Sequence, residues 1–150
     1  MINIEIIPDF KRVFMPDILE RAAKAALVQQ SAPDGDLTLV LTNDAQIQAL
    51  DRDFLGKDTP TDVLSFPASQ TDPDTGCRYL GDIVISVPRA EAQSIAMGHS
   101  LEAELSLLVI HGVLHLLGHD HAGVQEKARM WAAQSEILIR LGIPPTIVHE

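Results

Sequence analysis

Four of the chain's six histidines fall between positions 111 and 121. The run reads His111-Gly112-Val113-Leu114-His115-Leu116-Leu117-Gly118-His119-Asp120-His121. His111 and His115 are four apart, a spacing that stacks both rings on one face of a helix. Gly118 permits a sharp exit from that helix, so the chain can turn back and bring His121 to the same point. Three imidazoles converging on one ion with a fourth position open describe a catalytic zinc site, not a sealed structural one. Two histidines on one face of a buried helix are hard to satisfy in any other way, because each unpaired imidazole costs about 1–3 kcal/mol there. A borderline first-row metal removes that cost. Calcium and magnesium prefer oxygen ligands and do not suit the set.

The same spacing fits the longer zinc-protease frame H-E-x-x-H-x-x-G-x-x-H with one exception. Gly112 stands where that frame carries its glutamate general base. The metal set is kept, and the group that deprotonates the attacking water in a peptidase is missing. Asp120 is a candidate to orient a ligand imidazole by accepting the N–H on the ring's side away from the metal; its other reading is a plain turn residue. His119 is expected to be an exposed turn residue, because the single residue between it and His121 is too short for both to reach one ion beside the helix pair. His99 and His149 carry no signal. Cys77 sits in a polar stretch with no paired base, which argues against a nucleophile.

These residues need elements to hold them. Ser100 caps a helix of about 17 residues with Glu102 and Glu104 in its first turn, where the helix dipole favours anions. From Leu105 onward it is apolar on nearly every side and reads as the buried helix of the fold, stopped by Gly118. Ahead of it the pattern predicts a strand over 2–7, a helix opened by Pro16 and a turn at 32–35. A strand over 36–42 and a helix capped by Asn43 and closed by Gly56 follow. Strands over 63–66 and 80–87 flank a polar loop at 67–78, and Pro88 opens a helix that Gly98 ends. A final amphipathic helix covers 124–141, with Met130, Ile137 and Leu141 on one stripe. The order β-α-β-α-β-β-α-α-α predicts an α+β fold: one mixed sheet of about four strands, helices packed mainly on one face, and a zincin-like metal helix. Residues 1–150 are expected to form a single metal-dependent hydrolase domain.

Composition bounds the function classes. The chain has 150 residues, 46% hydrophobic, enough for one domain with a real core and too apolar for wholesale disorder. One cysteine excludes a disulfide framework and any cysteine-based zinc cage, and fits a reducing cytoplasm. The start shows no basic region ahead of an apolar run, so no targeting segment is expected. The most apolar stretch, from Leu105 to Leu117, falls short of the roughly 20 residues of a membrane span. A formal net charge of −10 repels nucleic acid at long range, so any role on RNA must rest on a local basic group or a specific site.

With Gly112 in place, the histidine run resembles the signature of the YbeY family of bacterial endoribonucleases, H-G-x-L-H-L-x-G-Y-D-H. Each fixed position matches except the tyrosine, which is His119 here. The stretch from Gly56 to Pro67 (Gly-Lys-Asp-Thr-Pro-Thr-Asp-Val-Leu-Ser-Phe-Pro) is similar to the family's K-D-x-P-T-D/N-V-L-S-F-P. Leu80-Gly81-Asp82-Ile83-Val84-Ile85 is similar to its L-G-D-I/L-V-I strand. The resemblance spans about residues 36–142. It implies a single-strand-specific, zinc-dependent endoribonuclease with one Zn2+ per chain on His111, His115 and His121. It also implies work on ribosomal RNA, notably 3′-end maturation of the small-subunit 16S rRNA, and in ribosome quality control. The implied partners are RNA and the small ribosomal subunit, with no membrane.

One position departs from the family. An arginine ordinarily precedes the Gly-Lys-Asp stretch, and Leu55 stands there instead. Arg52, one turn earlier, is the candidate substitute for clamping a developing phosphorane charge. Lys57 is a candidate phosphate contact, and Thr61 and Ser65 are candidates to line the substrate groove. Zinc on three neutral imidazoles makes hydroxide available near neutral pH; attack on phosphorus by that hydroxide and attack by the RNA 2′-OH both remain open. Two other readings stand beside the nuclease. One is a peptidase-like zinc hydrolase, against which Gly112 argues. The other is a non-catalytic, zinc-stabilised ribosome-associated module.

Overall fold

A computed structural model describes residues 1–11, 16–56, 61–120 and 122–147. Among these residues four strands form one sheet: β1 (Ile2–Ile6), β2 (Asp36–Thr42), β3 (Val63–Thr71) and β4 (Arg78–Ser86). Their spatial order is β1-β2-β4-β3. The first three neighbours run parallel, and β3 returns antiparallel along β4 as an edge. Among the described residues five α-helices accompany them: α1 (Pro16–Gln29), α2 (Asp44–Leu50), α3 (Val87–Met97), α4 (Leu101–Leu116) and α5 (Val124–Arg140). The expected α+β architecture with a mixed sheet is the one observed. None of the described helices is long and apolar enough to cross a membrane.

The register explains which residues face the core. One row across the sheet is Ile4–Leu39–Ile83–Ser65, and the next is Glu5–Val40–Val84–Leu64. Successive side chains alternate between faces. The first row therefore shares a face with Leu37, Leu41 and Ile85, all inaccessible to solvent, and joins one core with α1, α4 and α5. The second row lies on the opposite face, where Leu64 and Val84 pack with Ile47 of α2. So the described helices cover mainly one face, and α2 gives the other face a small core of its own. Thr38 and Asp82 hydrogen-bond the Tyr79 hydroxyl. Burial of that ring, and next the Asp82 carboxylate, push its pKa above the ordinary 10.0.

The caps form as the sequence predicts. Asn43 accepts from Gln46 N at 2.9 Å and Ser100 from Ala103 N at 3.1 Å. Gly98 ends α3 in the left-handed region, at φ 76°. Past Leu50 the helix widens into a π turn over Asp51–Leu55 before Gly56 closes it at φ 73°. The loop expected at 67–78 is a correction. β3 continues through Pro67 to Thr71, and β4 starts at Arg78, two residues early. Only 72–77 turns, held by Asp72 N donating to Cys77 O and Asp74 N to Asp72 Oδ1, both at 2.8 Å. Along this stretch Pro67, Gln70, Thr71 and Arg78 are exposed and Ala68 and Cys77 only half-buried, so no apolar alternation marks it. Pro67 is tolerated because β3 is an edge strand with a register shift between Pro67 and Gln70.

Candidate metal centre

α4 is the helix on which the site is built. It packs against α1, α3 and α5 and against both β3 and β4, and its residues from Glu104 to Ile110 are all buried. A carboxylate in that interior needs a partner. Glu104, with no solvent exposure, meets His99 Nε2 at 2.6 Å, so His99 has a structural task that its sequence position did not signal.

Near the far end of α4, His111 and His115 are half-buried with their rings 4.6 Å apart, steeply inclined at 70°. Their Nε2 atoms lie 3.0 Å from each other. His111 Nδ1 lies 2.8 Å from Oε1 of Gln134, a buried residue of α5. With Nδ1 donating to that carbonyl oxygen, Nε2 of His111 carries the lone pair and is the accepting nitrogen in its contact with His115 Nε2. Trp131, on the same helix, meets the His111 ring at 6.1 Å and nearly edge-on at 84°. Lys127 Nζ lies 5.4 Å from the Trp131 ring centre, so a cation stands one side chain away from the histidines.

The pair fits a first-row metal. Two imidazole nitrogens on one tetrahedral zinc lie about 3.3 Å apart, from Zn–N bonds of about 2.0–2.1 Å, and the observed pair is close to that separation. Among the described residues no three His, Cys, Asp or Glu side chains are grouped to hold an ion. His121, the third expected ligand, lies outside the described residues.

The helix exit and the sheet side frame the pair. Gly118 adopts φ 99°, and His119 N donates back to Leu114 O at 2.9 Å, closing the helix end. His119 is not the exposed residue expected: it is half-buried, and its Nε2 donates to Gln30 Oε1 of the α1 end at 2.8 Å. Asp120 is exposed on the turn. A hollow of about 350 Å³ beside it is lined by Leu117, Gly118, His119, Asp120, Glu126 and Arg129. On the other side, a Cβ added to Gly112 would fall 2.6 Å from Ile83 Cγ2. The position of the missing glutamate therefore points into the sheet.

A family model described as endoribonuclease YbeY matches residues 5–142. This chain belongs to the endoribonuclease YbeY family. The family places it among hydrolases that act on RNA. An endoribonuclease YbeY of Chloroflexus aurantiacus is 46% identical over 136 residues, covering 85% of this chain and 88% of the relative. One of Geobacillus kaustophilus is 39% identical over 152 residues, covering 95% and 97%. A Thermotoga maritima protein solved in solution has a similar fold, with a TM-score of 0.60 and 26% identity over 95% of this chain and 92% of that one.

Ser65 reaches the histidine helix: its Oγ donates to the carbonyl oxygen of Gly112 at 3.5 Å. Thr61 Oγ1 donates to Asp62 Oδ1, also at 3.5 Å, and Asp62 accepts from Gln93 Nε2 at 3.3 Å. Arg52 is exposed on the π turn after α2, and its Nε donates to Asp53 Oδ1 at 3.2 Å. Lys57 lies outside the described residues. Gln134 and Trp131 were missed. The available signal was a glutamine on the apolar stripe of α5, between Met130 and Ile137.

Proposed function

We propose that this protein is a zinc-dependent endoribonuclease specific for single-stranded RNA. In this reading it matures ribosomal RNA at the 3′ end of 16S rRNA and takes part in ribosome quality control. It works in the cytoplasm on the small ribosomal subunit, as one metal-dependent hydrolase domain over residues 1–150. The observation that carries the reading is the His111–His115 pair, its two Nε2 atoms 3.0 Å apart on a helix of the YbeY family. His121 completes the ligand set in a zincin-like arrangement, and Asp120 orients one of the imidazoles.

A bound zinc ion supplies a Lewis acid for a phosphoryl oxygen and hydroxide near neutral pH. His111 and His115 hold it as neutral donors. Ser65, on the β3 side, and Thr61 border the groove in which the strand lies. Lys127 is a local cation beside the pair, and Arg52 and Lys57 are candidates to meet the phosphate charge in place of the arginine that Leu55 replaces. Such groups answer the long-range repulsion of a chain with net charge −10. Gly112 supports RNA over peptide as substrate, since no general base can stand there.

The test is cleavage of a single-stranded RNA carrying the 16S 3′ precursor sequence, with a duplex as control and metal analysis of protein purified without added ions. Wild type is expected to carry zinc and to cut the single strand. His115→Ala is expected to lose both zinc and cleavage. Full cleavage by His115→Ala, or by protein stripped with a chelator, would reject the proposal. A 2′,3′-cyclic phosphate on the product would assign attack to the RNA 2′-OH.

A further inference from the structure

We infer that Gln134 is a positioning residue for the metal. By accepting a hydrogen bond from His111 Nδ1–H it fixes the tautomer whose Nε2 carries the lone pair that a metal needs. The inference rests on the ligand role proposed above for His111 and His115.

Gln134 is 1% exposed, and its Oε1 lies 2.8 Å from His111 Nδ1. The helix that carries it is locked by Met130, Ala133, Ile137 and Leu138, all buried. Trp131 stands three residues earlier, so both side chains leave α5 towards the same ring. Trp131 bounds the ring and Gln134 holds its far nitrogen, which leaves His111 little freedom to rotate or flip.

The direction of the amide decides the chemistry. With Oε1 towards the ring, His111 must be protonated on Nδ1, and Nε2 presents a lone pair to the space it shares with His115 Nε2. With the amide reversed, its NH2 would donate to Nδ1. The ring proton would then sit on Nε2, in the 3.0 Å gap between the rings, where a metal would have to displace it. The observed orientation prepares the donor before the ion arrives. Ligand imidazoles commonly hand their second N–H to an acceptor of this kind. A neutral amide does so without adding negative charge behind the ligand, unlike a carboxylate.

The test uses the full chain with 15N-labelled histidine. Ring nitrogen shifts of the metal-free protein read the His111 tautomer, and competition with a chromophoric chelator reads the zinc Kd. Wild type is expected to show the Nδ1–H tautomer. Gln134→Leu is expected to lose the fixed tautomer and to bind zinc about 10–100-fold more weakly. Gln134→Glu keeps an acceptor and is expected to retain both the tautomer and at least wild-type affinity. A wild-type proton on Nε2 would overturn the inference, as would Gln134→Leu with tautomer and Kd unchanged. If Gln134→Leu does not fold, the wild-type tautomer and the Gln134→Glu affinity still decide. Failure of the ligand assignment looks different: wild type would bind no zinc, or His115→Ala would bind it as tightly.

Discussion

Replacing Gly112 with alanine tests how α4 is seated. The new Cβ would lie 2.6 Å from Ile83 Cγ2, 3.0 Å from its Cδ1 and 3.1 Å from its Cγ1. Carbon atoms settle about 3.5–4.0 Å apart, so roughly 1 Å of separation must be found. Ile83 has no exposure and sits on β4, between β2 and β3, so its strand cannot retreat and the helix must lift. Overpacking of this kind costs about 1–3 kcal/mol. Alanine in place of glycine in a helix offsets about 0.5–1 kcal/mol of that. Gly112→Ala is therefore expected to be destabilised by up to about 2.5 kcal/mol in urea titration.

The cycle with Ile83→Ala isolates the clash. Ile83→Ala alone should cost about 2–5 kcal/mol. The double variant should cost less than the sum of the two by about 1–3 kcal/mol, because the methyl then enters the space vacated. Activity should follow the same logic. A misplacement of about 1 Å costs on the order of 10²-fold in rate, so folded Gly112→Ala should cut single-stranded RNA far more slowly than wild type. The double variant should recover towards Ile83→Ala. Additive stabilities, or a Gly112→Ala protein more stable than wild type, would refute the seating argument.

Two further outcomes follow from single residues. Tyr79 is the only tyrosine, so ultraviolet titration reads it alone. Its pKa should lie above 10.0, chiefly through burial and next through Asp82, and Asp82→Asn should bring it down. Because the folded value is the higher one, the neutral phenol's contribution to stability is complete below pH 10.0 and disappears as pH rises through the folded pKa. Arg52→Ala should leave the melting temperature unchanged, since its exposed pairing with Asp53 contributes little. It should slow RNA cleavage at least tenfold, on the order of one lost charge-assisted contact; full activity would remove Arg52 from the site.

Where a local rule is enough, the sequence was readable. Asn43, Ser100 and Gly98 announce helix ends by chemistry that needs no tertiary partner, and the helix boundaries fall where those residues put them. The hairpin beyond Phe66 was not readable, because Pro67, Gln70, Thr71 and Arg78 are exposed and such positions have no reason to alternate with apolar ones. The same limit applies at the site. His111 and His115 share a face because four residues make about one helical turn, which the sequence states outright. That Gln134 receives His111, and that Gln30 receives His119, depends on how α5 and α1 dock against α4. Those contacts join residues 23 and 89 positions apart, and no periodicity encodes them.

The three stretches that carry the family resemblance meet at one joint. Ser65 of the Val63–Phe66 stretch touches the carbonyl oxygen of Gly112, and Ile83 of the Leu80–Ile85 strand fills the space beneath the same glycine. On the sheet side, Gly81 adopts φ 140°, and a Cβ there would strike Phe66 O at 2.2 Å and crowd Leu116 Cδ2 at 3.0 Å. One glycine on the sheet and one on the helix thus let α4 settle onto β3 and β4, which sets the height of His111 and His115 above the sheet. This changes the meaning of the missing glutamate. The position after His111 does not face the space between the rings, so Gly112→Glu would not install a general base. It would drive a carboxylate against a fully buried isoleucine and lift the histidines away from Ser65. The missing glutamate is therefore a matter of packing: a side chain at 112 would meet Ile83 and not the space between the rings.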